Sequence, residues 1–268
     1  MADGAAVGTV PAPFDLSGRV AVVTGAGSPS GIGLATARLL SRLGAAVLVT
    51  GTTGRIHDRA AELATAGHDV GAVVADLTGP DGADRVAAAA RDRWGRVDVL
   101  VNNAGMVSAA SPEPEDGPLS EVTPAVWRAG LARNLDTAYL VTRAVLPLLT
   151  APGGRIVLVS SVTGPVMAMR DDPVYAAAKA GLTGLARALA VDLGPRGVTV
   201  NAVAPGWIAT GSQTADEARQ GRHTPLGRSG TADEVAAVIV FLASPGAGYL
   251  TGQTVVVDGG NSVAEQRA

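Results

Sequence analysis

A tyrosine and a lysine four positions apart, Tyr175 and Lys179, stand in the Ala-rich stretch VYAAAKAG at 174–181. That composition predicts a helix, and on a helix residues i and i+4 share a face one turn apart, so the ammonium is carried beneath the phenol without help from a loop. The pairing has a chemical use. A phenol titrates near ~10 and exchanges protons poorly at pH 7, whereas a close cation favours phenolate. Lowering its pKa by ~3 units, toward working pH, requires roughly 4 kcal/mol of anion stabilisation, within reach of an ammonium and a second positive charge. The expectation is a phenol held below its ordinary value. A packed tyrosine next to a solvated lysine would leave the same five residues, so the rest of the chain decides.

The elements that must position this pair alternate in kind. RVAVVT (19–24), AAVLVT (45–50), DVGAVVA (69–75), VDVLV (97–101), RIVLVS (155–160), VTVNAV (198–203) and QTVVVD (253–258) are short continuous apolar runs, the pattern of strands buried on both faces. Ala- and Leu-rich stretches with helical spacing separate them. Strand, helix, strand in repetition predicts an α/β domain, a doubly wound parallel sheet of about seven strands with right-handed crossovers. With no linker between Arg19 and Asp258, one domain is expected over 14–262, after a disordered leader at 1–13 and before a tail at 263–268. Two segments stand outside the alternation, 108–122 and 209–230; both are expected to be exposed and mobile.

Composition narrows the function. Of 268 residues, 47% are hydrophobic and 17% charged, enough for a large core, and the net charge is −3. No basic block invites nucleic acid or an anionic membrane, and no apolar run reaches the ~18 residues of a membrane span. There is no cysteine, and His57, His68 and His223 are scattered, so no metal site is expected. The start lacks a signal-peptide pattern, which predicts a cytoplasmic protein.

TGAGSPSGIG (24–33) closes the first strand. A Gly-rich turn between a first strand and its helix is where the phosphates of a dinucleotide belong, and Gly25, Ser28, Gly31, Ile32 and Gly33 are expected to bind them. Selectivity for NAD places an acid near the end of the second strand, where it meets ribose hydroxyls and repels a 2′-phosphate. Here Gly51 stands at that place, followed by Thr52 and Arg55, a guanidinium suited to phosphate. NADP (NADPH) is therefore expected over NAD.

With that loop, the Asp76-Leu77 pair, NNAG at 102–105, Asn134, Ser161, Tyr175 with Lys179, and PGWIAT at 205–210, the chain resembles the short-chain dehydrogenase/reductase family over residues 14 to 260. It is most similar to the branch of β-ketoacyl-acyl-carrier-protein reductases. The resemblance implies a Rossmann sheet and the catalytic set Asn134, Ser161, Tyr175 and Lys179. Tyr175 would protonate the substrate oxygen as hydride arrives, and accept the proton in the reverse direction. Lys179 would lower the tyrosine pKa and hold the nicotinamide ribose, Ser161 would donate to the carbonyl oxygen, and Asn134 would hold a water linked to Lys179. Asn103 and Gly105 would line the cofactor, Asp76 and Leu77 the adenine, and Pro205, Gly206, Ile208 and Thr210 the nicotinamide side.

The implied activity is that of an NADPH-dependent carbonyl reductase, or the same enzyme run backwards as an alcohol dehydrogenase. Its alternatives are an NAD-dependent alcohol dehydrogenase and a catalytically silent dinucleotide-binding protein. The substrate expected is a small-molecule ketone or alcohol, with an acyl-carrier-protein-linked one also open. The pocket candidates are Val162, Thr163, Pro165, Val166, Met167, Ala168, Met169 and Trp207, with 211–226 as a lid. Arg128, Arg133, Arg170 and Arg222 are candidates for docking an acidic carrier. The resemblance further implies a homotetramer built on the helices of 123–149 and 173–193 and the final strand. One departure stands out: five residues separate Gly25 from Gly31 where the family's common pattern has three.

Overall fold

The computed structural model describes residues 10–105 and 117–265. Seven parallel strands form one sheet in the order β3-β2-β1-β4-β5-β6-β9. They are β1 (Val20–Val23), β2 (Ala46–Gly51), β3 (Val70–Val74), β4 (Val99–Asn102), β5 (Arg155–Val159), β6 (Thr199–Pro205) and β9 (Thr254–Val257). Two short strands, β7 (Ile208–Ala209) and β8 (Gly230–Thr231), pair apart from the sheet.

Alternate residues of each strand face opposite ways, and both faces are covered. Ala21, Val23, Val49, Val101, Val157 and Val203 join one core cluster with Leu34 and Leu40 of α1 (Ile32–Arg42), Ile56 of α2 (Arg55–Thr65) and Ile239 of α8 (Ala232–Ala243). Val22, Leu48, Leu100, Ile156 and Leu158 join the other. Their partners are Val86 of α3 (Pro80–Trp94), Val141 of α5 (Thr137–Val145) and Leu182 of α6 (Pro173–Leu193). Burial on both faces is why these strands read as unbroken apolar runs rather than alternating ones. Strand order reverses between β1 and β4, and the crevice beyond the carboxyl ends of those two strands is where such a sheet takes a ligand.

Three features depart from the sequence reading. Ala12–Phe14 forms a short 3₁₀ turn, and Pro13, assigned to the leader, lies 3.2 Å from where a Cβ on Gly246 would sit. The helix over 123–149 is not uniform: α4 (Pro124–Leu131) passes through a π-helical segment, Ala132–Asp136, into α5. The excursion at 209–230 is a built unit. It carries α7 (Ala215–Gly221), opened by a Thr214/Glu217 capping box, and Gln213 donates to Ser229 Oγ at 2.9 Å across its base. Residues 108–116 of the other excursion lie outside the described residues. Among the described residues, no helix is long and apolar enough to cross a membrane.

Candidate active site

The floor of the crevice is backbone brought close by glycine. Gly25 holds a left-handed φ of 70°, and a Cβ there would sit 2.8 Å from Ala104 Cα. A Cβ on Gly33 would fall 2.6 Å from both Gly25 O and Asn103 Nδ2. Thr24 and Asn103 staple the same crossing: Asn103 Nδ2 donates to Thr24 O and Gly25 O, each at 3.0 Å, and Thr24 Oγ1 accepts from Asn103 N at 3.0 Å and Ala104 N at 2.9 Å. The N-cap of α1 is Gly31, with no side chain capping it, so its first-turn N–H groups face the crevice mouth without a capping acceptor. In this longer loop Ser28, Pro29 and Ser30 are exposed, and Ser30 Oγ lies 2.9 Å from the Cβ position of Gly211.

The reactive groups meet beside this floor. Ser160 and Ser161 follow β5, and Tyr175 and Lys179 occupy successive turns of α6. Tyr175 lies close enough to Ser161 to feel its hydroxyl, and Ser161 Oγ accepts from Thr163 N at 3.1 Å. Lys179, 3% exposed, lies with Nζ 5.4 Å from the centre of the Tyr175 ring and donates to Val159 O at 3.1 Å. Ser160 Oγ donates to Lys179 O at 2.7 Å, pinning the helix to the end of β5. Asn134 sits in the π segment, donates to Gly130 O at 3.2 Å, and is 2% exposed. A Cβ on Gly105 would lie 3.1 Å from Asn134 Oδ1 and 3.3 Å from Lys179 Nζ, so these three residues border one small space.

The electrostatics differ from the expectation. Burial pushes the Tyr175 hydroxyl up to about 12, against the lowering effect of the Ser161 hydroxyl, and the carboxylates of Asp172 and Glu217 raise it further. Burial also pushes the Lys179 ammonium down to about 8. The ammonium underlies the ring and is engaged by a backbone carbonyl, and desolvation is the largest influence on the phenol. With the protein's own groups alone, the tyrosine is a firmly protonated acid at neutral pH.

The remaining predicted residues are more dispersed. Thr52 and Arg55 are exposed beyond β2, and Arg55 Nε donates to Thr53 Oγ1 at 3.2 Å. A side chain on Gly51 would press on buried Ile56, with its Cβ 3.3 Å from Ile56 Cβ. Asp76 is exposed and bound to Thr78, whose hydrogen bonds hold its carboxyl below the usual range, while Leu77 turns into the core. Pro205 ends β6, Gly206 follows it, Ile208 packs on the core from β7, and Thr210 Oγ1 is 3.0 Å from Ser212 Oγ. Of the pocket candidates, Val162 and Thr163 are buried, and Val166, Ala168 and Met169 are exposed. The indole Nε1 of Trp207 is buried without a hydrogen-bond partner among the described residues. Thr24 and Ser160 were missed by sequence reasoning; only their adjacency to Gly25 and Ser161 signals them.

The comparisons agree with this geometry. A family model described as enoyl-(acyl carrier protein) reductase matches residues 25–262. The chain is 41% identical over 254 residues to the 3-oxoacyl-[acyl-carrier-protein] reductase FabG of Pseudomonas aeruginosa, covering 92% of this chain and 98% of the relative. It is 40% identical to the cis-4-hydroxycyclohexanecarboxylate dehydrogenase of Sinomonas cyclohexanicum, covering 90% and 96%. Among solved structures, a dehydrogenase/reductase from Sinorhizobium meliloti superposes with a TM-score of 0.85 at 31% identity, covering 93% of this chain and 97% of that one. A blue fluorescent protein from a metagenomic library, in complex with NADPH, superposes at 0.84 with 32% identity over 92% and 99%. The chain belongs to the short-chain dehydrogenase/reductase family and is an NAD(P)-dependent oxidoreductase.

Proposed function

We propose that the protein is an NADPH-dependent carbonyl reductase, working in reverse as an alcohol dehydrogenase. The observation that carries this reading is the buried Lys179 lying 5.4 Å from the centre of the Tyr175 ring, with Ser161 beside that tyrosine at the end of β5. A dinucleotide fits the residues present: the glycine crossing at Gly25 and Gly33 leaves a cradle that side chains would fill, and the uncapped start of α1 offers N–H donors to phosphate. When bound, the nicotinamide supplies or accepts the hydride. Ser161 donates a hydrogen bond to the carbonyl oxygen and holds it against Tyr175. Tyr175, protonated at pH 7, delivers its proton to that oxygen as negative charge develops. Lys179 compensates the phenolate left behind, and Asn134 holds the water through which the proton is replaced.

NADPH is favoured over NADH because β2 ends in Gly51, where a longer side chain would crowd Ile56, and Arg55 stands nearby with no carboxylate partner among the described residues. Substrates linked to an acyl carrier protein follow from the FabG relatives, with exposed Arg128, Arg170 and Arg222 as docking cations. The Sinomonas cyclohexanicum relative favours a second reading, in which a cyclic secondary alcohol is oxidised. We further place the enzyme in the cytoplasm as a homotetramer. Support for the tetramer comes from the outer edge of β9 and its surroundings, where Val256, Tyr249 and Leu250 are exposed; light scattering tests it. The decisive experiment follows nicotinamide absorbance with NADPH or NADH and a panel of ketones, 3-oxoacyl thioesters and cyclic alcohols. Turnover that is faster with NADPH is expected, and a protein that binds nucleotide yet turns over nothing would leave the silent-binder alternative.

A further inference from the structure

Three segments lead away from or approach the site: the loop at 162–167, which follows Ser161, the stretch that starts at Gly206 beyond β6, and the 209–230 excursion, whose Glu217 acts on Tyr175. One short turn, residues 258–262, touches all of them. Asp258 closes that turn on itself, accepting from Gly260 N at 2.9 Å and Ser262 N at 2.7 Å. Gly206 N donates to Val257 O at 3.0 Å, and a Cβ on Gly206 would fall 2.7 Å from Asp258 Cβ. Leu226 N donates to Gly259 O at 3.2 Å, and a Cβ on Gly260 would come within 2.9 Å of Pro225 Cγ. Asn261, only 3% exposed, donates its side-chain amide to Met167 Sδ at 3.5 Å.

A thioether is a weak acceptor, so this last contact contributes little as a bond. Its use is to hold a long, freely rotating side chain in one place. Met167 belongs to the loop that leads out of Ser161: its N–H donates to Val162 O at 3.0 Å and its carbonyl accepts from Gly164 N at 2.7 Å. Gly164 in turn lies so close to α6 that a Cβ would overlap the carbonyl of Ala176, next to Tyr175. The position of Met167 thus bears on the loop that joins Ser161 to the helix of Tyr175.

We propose that the turn at 258–262 gauges the substrate mouth, with Asn261 as a positioning residue that fixes Met167 and thereby the bulk of ketone admitted. This rests on the carbonyl-reductase reading of the same site. The test compares a methyl ketone with an aryl ketone carrying the same activating group, in wild type, Asn261→Ala and the milder Asn261→Ser. The aryl KM should move about fivefold relative to the methyl KM, with kcat on the methyl ketone and the NADPH Kd each within about twofold, and the effect should vanish in a Met167→Leu background. An unchanged KM ratio, or an NADPH Kd that moves in step, overturns the proposal. Wild type that turns over neither ketone with either cofactor instead refutes the reductase reading. In that case ¹³C-methyl NMR decides the positioning role: the Met167 methyl resonance must shift in both Asn261 variants, and a stationary resonance overturns it.

Discussion

The two ends of the central sheet bury charge in opposite ways. At the amino ends of β1 and β4, Asp98 is 1% exposed and fully answered: Arg96 lies at 2.6 Å, Arg19 at 3.1 Å, and Val20 N donates at 2.9 Å. Burial alone would raise this carboxyl, but the hydrogen bonds from Arg96, Val20 N and Arg19 hold it below its ordinary range. At the carboxyl end, Lys179 is as deeply buried, yet it meets a carbonyl and an aromatic ring and, among the described residues, no carboxylate. One end satisfies its buried charge; the other keeps a charge that the fold would rather neutralise. Ion-pair networks displace pKa values too, as at Asp98; what points to chemistry at Lys179 is displacement by desolvation with no opposite charge to answer it among the described residues.

The comparison breaks most visibly at the tyrosine. Tyr175→Phe should lower kcat by about 10³-fold while the NADPH Kd, read by nicotinamide fluorescence, stays unchanged. Near-normal turnover would remove the proposed acid. The next effect belongs to the opposite end. Asp98→Asn should cost roughly 3 kcal/mol of stability in urea unfolding, because two guanidinium groups lose their buried partner, and should leave kcat of the folded enzyme intact.

Lys179→Met should do the reverse, abolishing turnover while stabilising the fold by about 2 kcal/mol, since a buried ammonium is exchanged for an apolar chain of similar length. Its pH signature has a definite sign. The folded value is about 8 against an ordinary 10.5, so between those two values the unfolded chain holds the Lys179 proton and the folded chain does not. Stability therefore gains a rising contribution from pH 8 toward 10 in wild type, and this contribution is missing in Lys179→Met. Tyr175 works the other way above pH 10: raised to about 12 in the fold, it keeps a proton that the unfolded chain loses, so its contribution falls as pH climbs further.

Much of this was legible in the sequence, for reasons that differ by region. The strands were readable because burial on both faces leaves unbroken runs such as VAVV at 20–23 and VLVN at 99–102. Tyr175 and Lys179 were readable as a pair because helical spacing alone puts them on one face. The π segment at Asn134 was not, since one extra residue in a helical turn leaves no mark in composition. Nor was the direction of the tyrosine shift: it depends on burial and on Asp172 and Glu217, the latter 42 residues away on α7, and no local pattern reports such a meeting. The same holds for the 258–262 turn, whose meaning lies in contacts with residues 167, 206 and 225–226.

The smallest expected effect sharpens the contrast between answered and unanswered cations. Arg55 shares the carboxyl end with Lys179 and, like it, has no carboxylate partner among the described residues; its Nε donates to Thr53 Oγ1. Arg96 lies at the other end, tied to Asp98. Both are arginines with substantial exposure, so a difference in their effect on nucleotide binding reports position and pairing rather than residue type. Arg55→Ala should weaken NADPH by about fivefold through loss of one charge-assisted contact to the 2′-phosphate and leave NADH almost unchanged. Arg96→Ala should alter neither Kd. The NADPH effect should also shrink as salt is raised, because an exposed guanidinium is screened within about 10 Å at 0.1 M ionic strength. An Arg55→Ala protein that binds NADPH and NADH with the wild-type ratio would assign cofactor choice to the Gly51 backbone alone.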